Sequence, residues 1–142
     1  MSFLYNDGGR SEAQYKGAAS DCVTRAISIV TGVPYQTVYD EINKIAANER
    51  VRKSRTKKSS ARTGVFKETS VAYLTSLGWV WTPTMTIGSG CKVHLKAAEL
   101  PPGKIICKVT RHMVAVIDGV INDTHDCSRE GTRCVYGYWS EK

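Results

Sequence analysis

No stretch of this 142-residue chain is long and apolar enough to span a membrane, which sets aside a helical membrane protein. The opening residues, Met1 to Gly9, lack a basic segment followed by an apolar one. No secretory signal is expected, and the site of action is read as cytoplasmic. Cysteine forms no framework: Cys22, Cys91, Cys107, Cys127 and Cys134 are odd in number and irregular in spacing. Mostly free thiols in a reducing compartment follow from that. There is no internal repeat and no known nucleic-acid-binding motif. Acid is missing from one place in particular. Arg50, Arg52, Lys53, Arg55, Lys57, Lys58 and Arg62 lie within thirteen residues that contain neither Asp nor Glu. Outside that stretch basic and acidic residues balance at 13 each, so the formal charge of +7 belongs to a segment and not to the domain.

The remaining pattern is that of one globular domain over residues 1–142, with an exposed basic loop at about 50–63. Residues 1–19 read as an irregular lead-in. Val23, Ala26, Ile27 and Val30 recur at helical spacing behind a cap at Ser20 or Asp21, and Thr31-Gly32 ends that helix. Pro34 opens a second helix whose stripe is Val38, Ile42, Ile45 and Ala46. A third fits Phe66 to Leu77, with Val71, Leu74 and Leu77 inward. Strands then follow at Trp79–Trp81, Lys104–Val109, His112–Ile117, Val120–Thr124 and Cys134–Trp139, while Val93–Leu100 fits a strand and then a helical turn before Pro101. Asp118-Gly119 between two apolar runs marks a tight hairpin. Helices first and an antiparallel sheet second define an α+β layout.

Three residues stand out chemically. Cys22 falls in the first turn of the first helix, where partial positive charge favours the nucleophilic thiolate. His112 opens the hairpin strand. Pairing Ile117 with Val120 sets Val116 opposite Ile121 and Val114 opposite Asp123, so His112 and Asp123 share a face as diagonal neighbours. A carboxylate there would orient the imidazole. A register slip of one residue would put Asn122 in its place.

The blocks SDCVTRAISIVTG and RHMVAVIDGVINDTHD, with a cysteine on an early helix and a histidine and an aspartate on later strands, resemble the papain-like cysteine peptidase superfamily in its small bacterial or phage form. The closest likeness is to peptidases that process double-glycine leaders. The resemblance implies a papain-like fold, with N-terminal helices packed on the C-terminal sheet. It also implies a thiol-dependent hydrolase or acyl transferase acting on an amide or thioester of a peptide or protein. Cys22 would be the nucleophile, His112 the base and Asp123 the orienting acid. An upstream side chain, commonly glutamine, would bind the oxyanion with the cysteine N–H. Gln14 is the upstream glutamine, with Asn6, Ser20 and Asp21 as alternatives. No cofactor or metal is expected.

Two other readings compete. A zinc set can be drawn from His125, Cys127 and Cys134, with His94, Cys91 or Cys107 as the fourth ligand, but no second tight pair accompanies His125-x-Cys127. The basic loop, for its part, suits a non-catalytic binding module that docks nucleic acid or an acidic protein. It contains no aromatic residue for base stacking.

Overall fold

In a computed structural model, the described residues are 2–14, 21–48, 60–62, 64–65, 67–86 and 88–141. Of the basic stretch only Arg62 is among them; Arg50, Arg52, Lys53, Arg55, Lys57 and Lys58 lie outside.

The helices follow from their apolar spacing. α1 spans Cys22–Thr31 and ends at Gly32, whose φ of 74° is the left-handed conformation that lets its N–H close on the Ser28 carbonyl at 3.0 Å. α2 spans Tyr35–Ala47 and buries Val38, Ile42 and Ala46. α3 spans Lys67–Ser76, where the inward face differs from the expected one: Thr69, Ser70, Tyr73 and Leu74 are buried, whereas Val71 and Leu77 are exposed. Of the three expected inward residues only Leu74 is buried, with Tyr73, Thr69 and Ser70 beside it.

The strands are β1 (Ser2–Tyr5), β2 (Trp79–Pro83), β3 (Lys104–Val109), β4 (His112–Ile117), β5 (Val120–Asp123) and β6 (Gly137–Glu141). They form one sheet in the order β1-β5-β4-β3-β6-β2. The β4–β5 register pairs Ile117 with Val120, Val116 with Ile121 and Ala115 with Asn122. Asp118 and Gly119 both have positive φ, 48° and 79°, as the mirror-image hairpin turn requires. Two expectations are corrected here, on the N-terminal segment and on the last strand, and the reading of residues 93–100 is made definite. The N-terminal segment is not wholly irregular: β1 pairs in parallel with β5, which makes the sheet mixed rather than antiparallel. The last strand starts at Gly137, not Cys134, because Cys134 instead bridges to His94. The ambiguous 93–100 segment is a bridge followed by a 3-10 turn at Ala97–Glu99.

Alternation along the strands splits the core in two. Ile106, Met113, Ala115 and Trp139 face the helices and pack against Val23, Ala26, Ile27, Val38, Ile42 and Leu74. Ile105, Cys107, Val114, Val116 and Ile121 face the other way and are covered by Leu95, Cys127 and Val135 from the connecting loops. The α+β assignment therefore holds, with three helices on one face of a six-stranded sheet. No helix among the described residues is long and apolar enough to cross a membrane.

The cysteines also depart from expectation. Cys91 and Cys134 form a disulfide, with Cα atoms 5.8 Å apart, leaving Cys22, Cys107 and Cys127 free.

Candidate active site

α1 begins where the edges of β4 and β5 meet it, and that junction brings three distant residues together. Cys22 is the first residue of the helix and is half-buried. Its sulfur lies beside the imidazole of His112, the first residue of β4, near enough for each group to shift the other's pKa. On the far side of the ring, His112 Nε2 lies 2.6 Å from Asp123 Oδ2 at the end of β5. With Nε2 committed to the carboxylate, Nδ1 is the nitrogen left to serve the sulfur. Asn122 points elsewhere: its amide donates to the Val120 carbonyl at 3.1 Å and accepts from Asn6 at 3.3 Å.

The electrostatics favour an ionised pair. Burial alone would push the Cys22 thiol up. The His112 hydrogen bond and charge, the facing Met113 backbone N–H and the Arg25 guanidinium outweigh it, so the thiol lies below its ordinary 9.0. Burial would lower His112, yet its bonds to Asp123, Cys127 and Cys22 push it up to about 11. Asp123 is raised by burial but lowered further by His112, the Thr124 backbone N–H and Arg25, and ends below 3.8.

Arg25 is the residue that sequence reasoning missed. It is buried on α1 and bridges two carboxylates. Nη1 bonds Asp21 one turn earlier, and Nη2 donates to Asp123 Oδ1 at 3.1 Å. The two aspartates hold its guanidinium pKa above the ordinary value despite burial. Asp21 is fully buried and also accepts from the Tyr35 hydroxyl at 2.6 Å, with Arg10 Nε at 3.5 Å. Desolvation and that bond raise the Tyr35 hydroxyl. A chain of charge thus runs from Asp21 through Arg25 and Asp123 to His112 and Cys22. The sequence signal was the Asp21-x-x-x-Arg25 spacing around the cysteine, an (i, i+4) ion pair.

Asp21 stands at the helix cap but makes no side-chain cap bond. The first helical backbone bond is Arg25 N–H to the Asp21 carbonyl, at 2.9 Å. The N–H groups of Cys22, Val23 and Thr24 therefore have no acceptor among the described residues, as in any uncapped first turn. Of the other oxyanion candidates, Gln14 is an exposed turn residue with φ 68°, Asn6 is occupied by Asn122 and the Gly8 N–H, and Ser20 lies outside the described residues.

Two concavities adjoin the pair. On the helix face, an apolar groove of about 440 Å³ runs beside Val23 and Met113, walled by Val71, Trp81 and Trp139. Trp79 is core, but Trp81 is exposed along this groove, so only one of the two is a core aromatic. The second concavity is a polar cleft that His112 and His125 line together, their rings 5.5 Å apart.

The competing zinc set does not form among the described residues. Cys91 and Cys134 are bonded to each other, His94 pairs with Glu99 at 3.3 Å, and burial pushes the Cys107 thiol up to about 12. A different cluster does form: donor atoms of His112, Asp123 and His125 lie within 4.8 Å of one another. A cation there would have to break the 2.6 Å bond between His112 and Asp123 and sit near Arg25. The arrangement is therefore better suited to proton transfer than to metal binding. No family model, no curated protein and no solved structure matches this chain, so its chemistry rests on its own geometry.

Proposed function

We propose that the protein is a thiol-dependent hydrolase or acyl transferase with a papain-like fold. It acts in the cytoplasm on an amide or thioester of a peptide or protein. The observation that carries this reading is the single imidazole held between the Cys22 sulfur and the Asp123 carboxylate, with the sulfur at the start of a helix.

The Cys22 thiolate attacks the carbonyl carbon, and the electron pair of the C=O bond moves to oxygen. The oxyanion is received by the N–H groups at the start of α1. Collapse of the adduct breaks the bond to nitrogen or sulfur, and the His112 imidazolium gives its proton to the leaving group. The neutral imidazole then takes a proton from water, or from an acceptor amine, as that nucleophile attacks the thioester and releases Cys22. Asp123 keeps Nε2 bonded, so Nδ1 stays aimed at the sulfur throughout. The groove beside Met113 would hold an apolar part of the substrate. A cytoplasmic setting suits a nucleophile that must stay reduced. There the exposed Cys91–Cys134 pair would be open to reduction.

The test is labelling with a neutral thiol electrophile at pH 7. Cys22 should react at least about tenfold faster than Cys107 or Cys127, in line with a depressed thiol pKa. Equal rates at all three, together with an intact activity in Cys22→Ala, would end the reading.

A further inference from the structure

The polar cleft beside His112 has a volume of about 400 Å³, and its walls are Thr110, Arg111, His112, His125, Arg129 and Arg133. Three guanidinium groups and two imidazoles converge there, with no carboxylate among the lining residues. Arg133 donates to the carbonyls of Cys127 at 3.3 Å and Thr110 at 2.5 Å, which anchors its side chain without neutralising it. Among the described residues, no carboxylate lies within 4.0 Å of Arg111, Arg129 or Arg133. Arg25 is the contrast, since two aspartates satisfy it. The nearest acid in sequence, Glu130, follows Arg129 directly but is not among the lining residues and forms no ion pair with these three arginines among the described residues, while Asp126 accepts the Ser128 backbone N–H at 2.9 Å.

The backbone adds to this. Arg111 and Arg129 have φ of 55° and 51°, a conformation that carries a cost for a residue with a Cβ and recurs at ligand clamps. Arg111 occupies the turn between β3 and β4, so the residue that follows it is His112. Like charges gathered without a counterion repel one another, and planar guanidinium groups pair bidentately with carboxylate or phosphate.

We propose that the cleft lined by Arg111, Arg129 and Arg133 is a subsite for an anionic group of the substrate, a carboxylate or a phosphate, held one imidazole away from the carbonyl that Cys22 attacks. The proposal rests on the thiol acyl-transfer reading and sharpens it: the substrate has an apolar part for the groove at Met113 and an anion for the cleft at His112.

Iodoacetate and iodoacetamide test it, because they deliver the same carbon to the same thiolate and differ in one carboxylate. The ratio of their rates at Cys22, divided by the ratio for glutathione, cancels any change in thiolate population. That normalised ratio should favour iodoacetate by about tenfold at low ionic strength, the worth of one charge-assisted hydrogen bond. It should fall towards one in the Arg111→Gln/Arg129→Gln variant, whose side chains make no bond among the described residues. Protection of Cys22 by inorganic phosphate and not by succinate, at constant ionic strength, identifies a phosphate; the reverse identifies a carboxylate; protection by both supports a subsite that accepts either. A reactive Cys22 with a ratio near one, or protection by neither anion, overturns the cleft proposal alone. A Cys22 no more reactive than the other thiols towards either reagent overturns the thiol-enzyme reading and this proposal with it.

Discussion

Arg25 and Asp123 stand 98 positions apart and share a 3.1 Å hydrogen bond inside the protein. The other oxygen of the same carboxylate holds His112 at 2.6 Å. Asp123 is therefore the joint between a structural ion network under α1 and the imidazole that faces Cys22. Loss of either partner should disturb both.

Arg25→Met should destabilise the fold strongly. It would remove the guanidinium shared by the buried Asp21 and Asp123, leaving Asp21 with Arg10 at 3.5 Å and Asp123 with His112; breaking a buried pair typically costs about 3–5 kcal/mol. Urea unfolding of the variant checks this. Arg25→Lys should recover part of the loss, because an ammonium cannot fork between two carboxylates. Full stability in Arg25→Met would mean that Asp21 is held by Tyr35 and Arg10 alone.

Asp123→Asn should keep the strand pairing but spoil the imidazole. The amide can still meet Nε2, but it neither stabilises the imidazolium nor enforces Nδ1 as the working nitrogen. Turnover should drop on the order of 10²–10⁴-fold, the usual worth of positioned acid–base catalysis. The pH profile of Cys22 alkylation should move up in parallel, and alkylation followed by mass spectrometry reads it directly.

The pH dependence has a definite sign. Cys22 lies below 9.0 and His112 is pushed up to about 11, so the thiol ionises at lower pH than an isolated one while the imidazole stays protonated. The rise of Cys22 alkylation with pH should therefore have its midpoint below that of a free thiol, near pH 8–9. Stability follows the same groups. The raised His112 contributes fully below 6.5 and loses its contribution as pH climbs towards about 11. The depressed Asp123 contributes above 3.8 and loses its contribution as acid protonates it. Urea midpoints should fall on both sides of a neutral maximum, and His112→Ala should remove the alkaline fall.

Chelation should leave Cys22 reactivity unchanged. His112 and Asp123 spend their facing atoms on each other, although His125 lies within metal-ligating distance of both. Labelling before and after exhaustive EDTA dialysis checks it. A tenfold or larger loss that zinc restores would instead assign a metal role to these three side chains.

Much of the site was legible because hairpins obey a two-residue period. Once Asp118-Gly119 was read as a turn, pairing Ile117 with Val120 put Asp123 on the His112 face and Asn122 on the other, and β4 and β5 have that register. Cys22 was legible as the first turn of an apolar-striped helix. The rest depended on contacts that no local pattern encodes. Arg25 sits between apolar neighbours on a helix buried nearly all round, and only the fold shows that it meets Asp123. The three arginines of the cleft come from two loops, and lone arginines in loops ordinarily read as solvated. β1 was missed because SFLY is too short to alternate and pairs with a strand far along the chain. α3 was placed correctly but turned wrongly, since its polar residues Thr69 and Ser70 face inward.

Gly137→Ala should weaken the sheet edge beside the apolar groove. A Cβ there would overlap the Trp81 ring, which lies on the glycine between β2 and β6. Overpacking of this kind costs about 1–3 kcal/mol. The tryptophan should move, so its fluorescence should shift along with the fall in thermal stability.

The parallel pairing of β1 with β5 bears on when the protein becomes reactive during its own synthesis. Tyr5 aligns with Asp123, and the Asn6 N–H donates to the Asp123 carbonyl at 2.9 Å. Asn6 and Asn122 are 116 positions apart, so β1 leaves the ribosome long before its neighbour exists, and closing so long a loop is a late and entropically costly step. Until β4 and β5 are made, Cys22 has neither His112 nor Asp123 and is an ordinary thiol. On the proposed reading its nucleophilicity would switch on only after β5 has emerged.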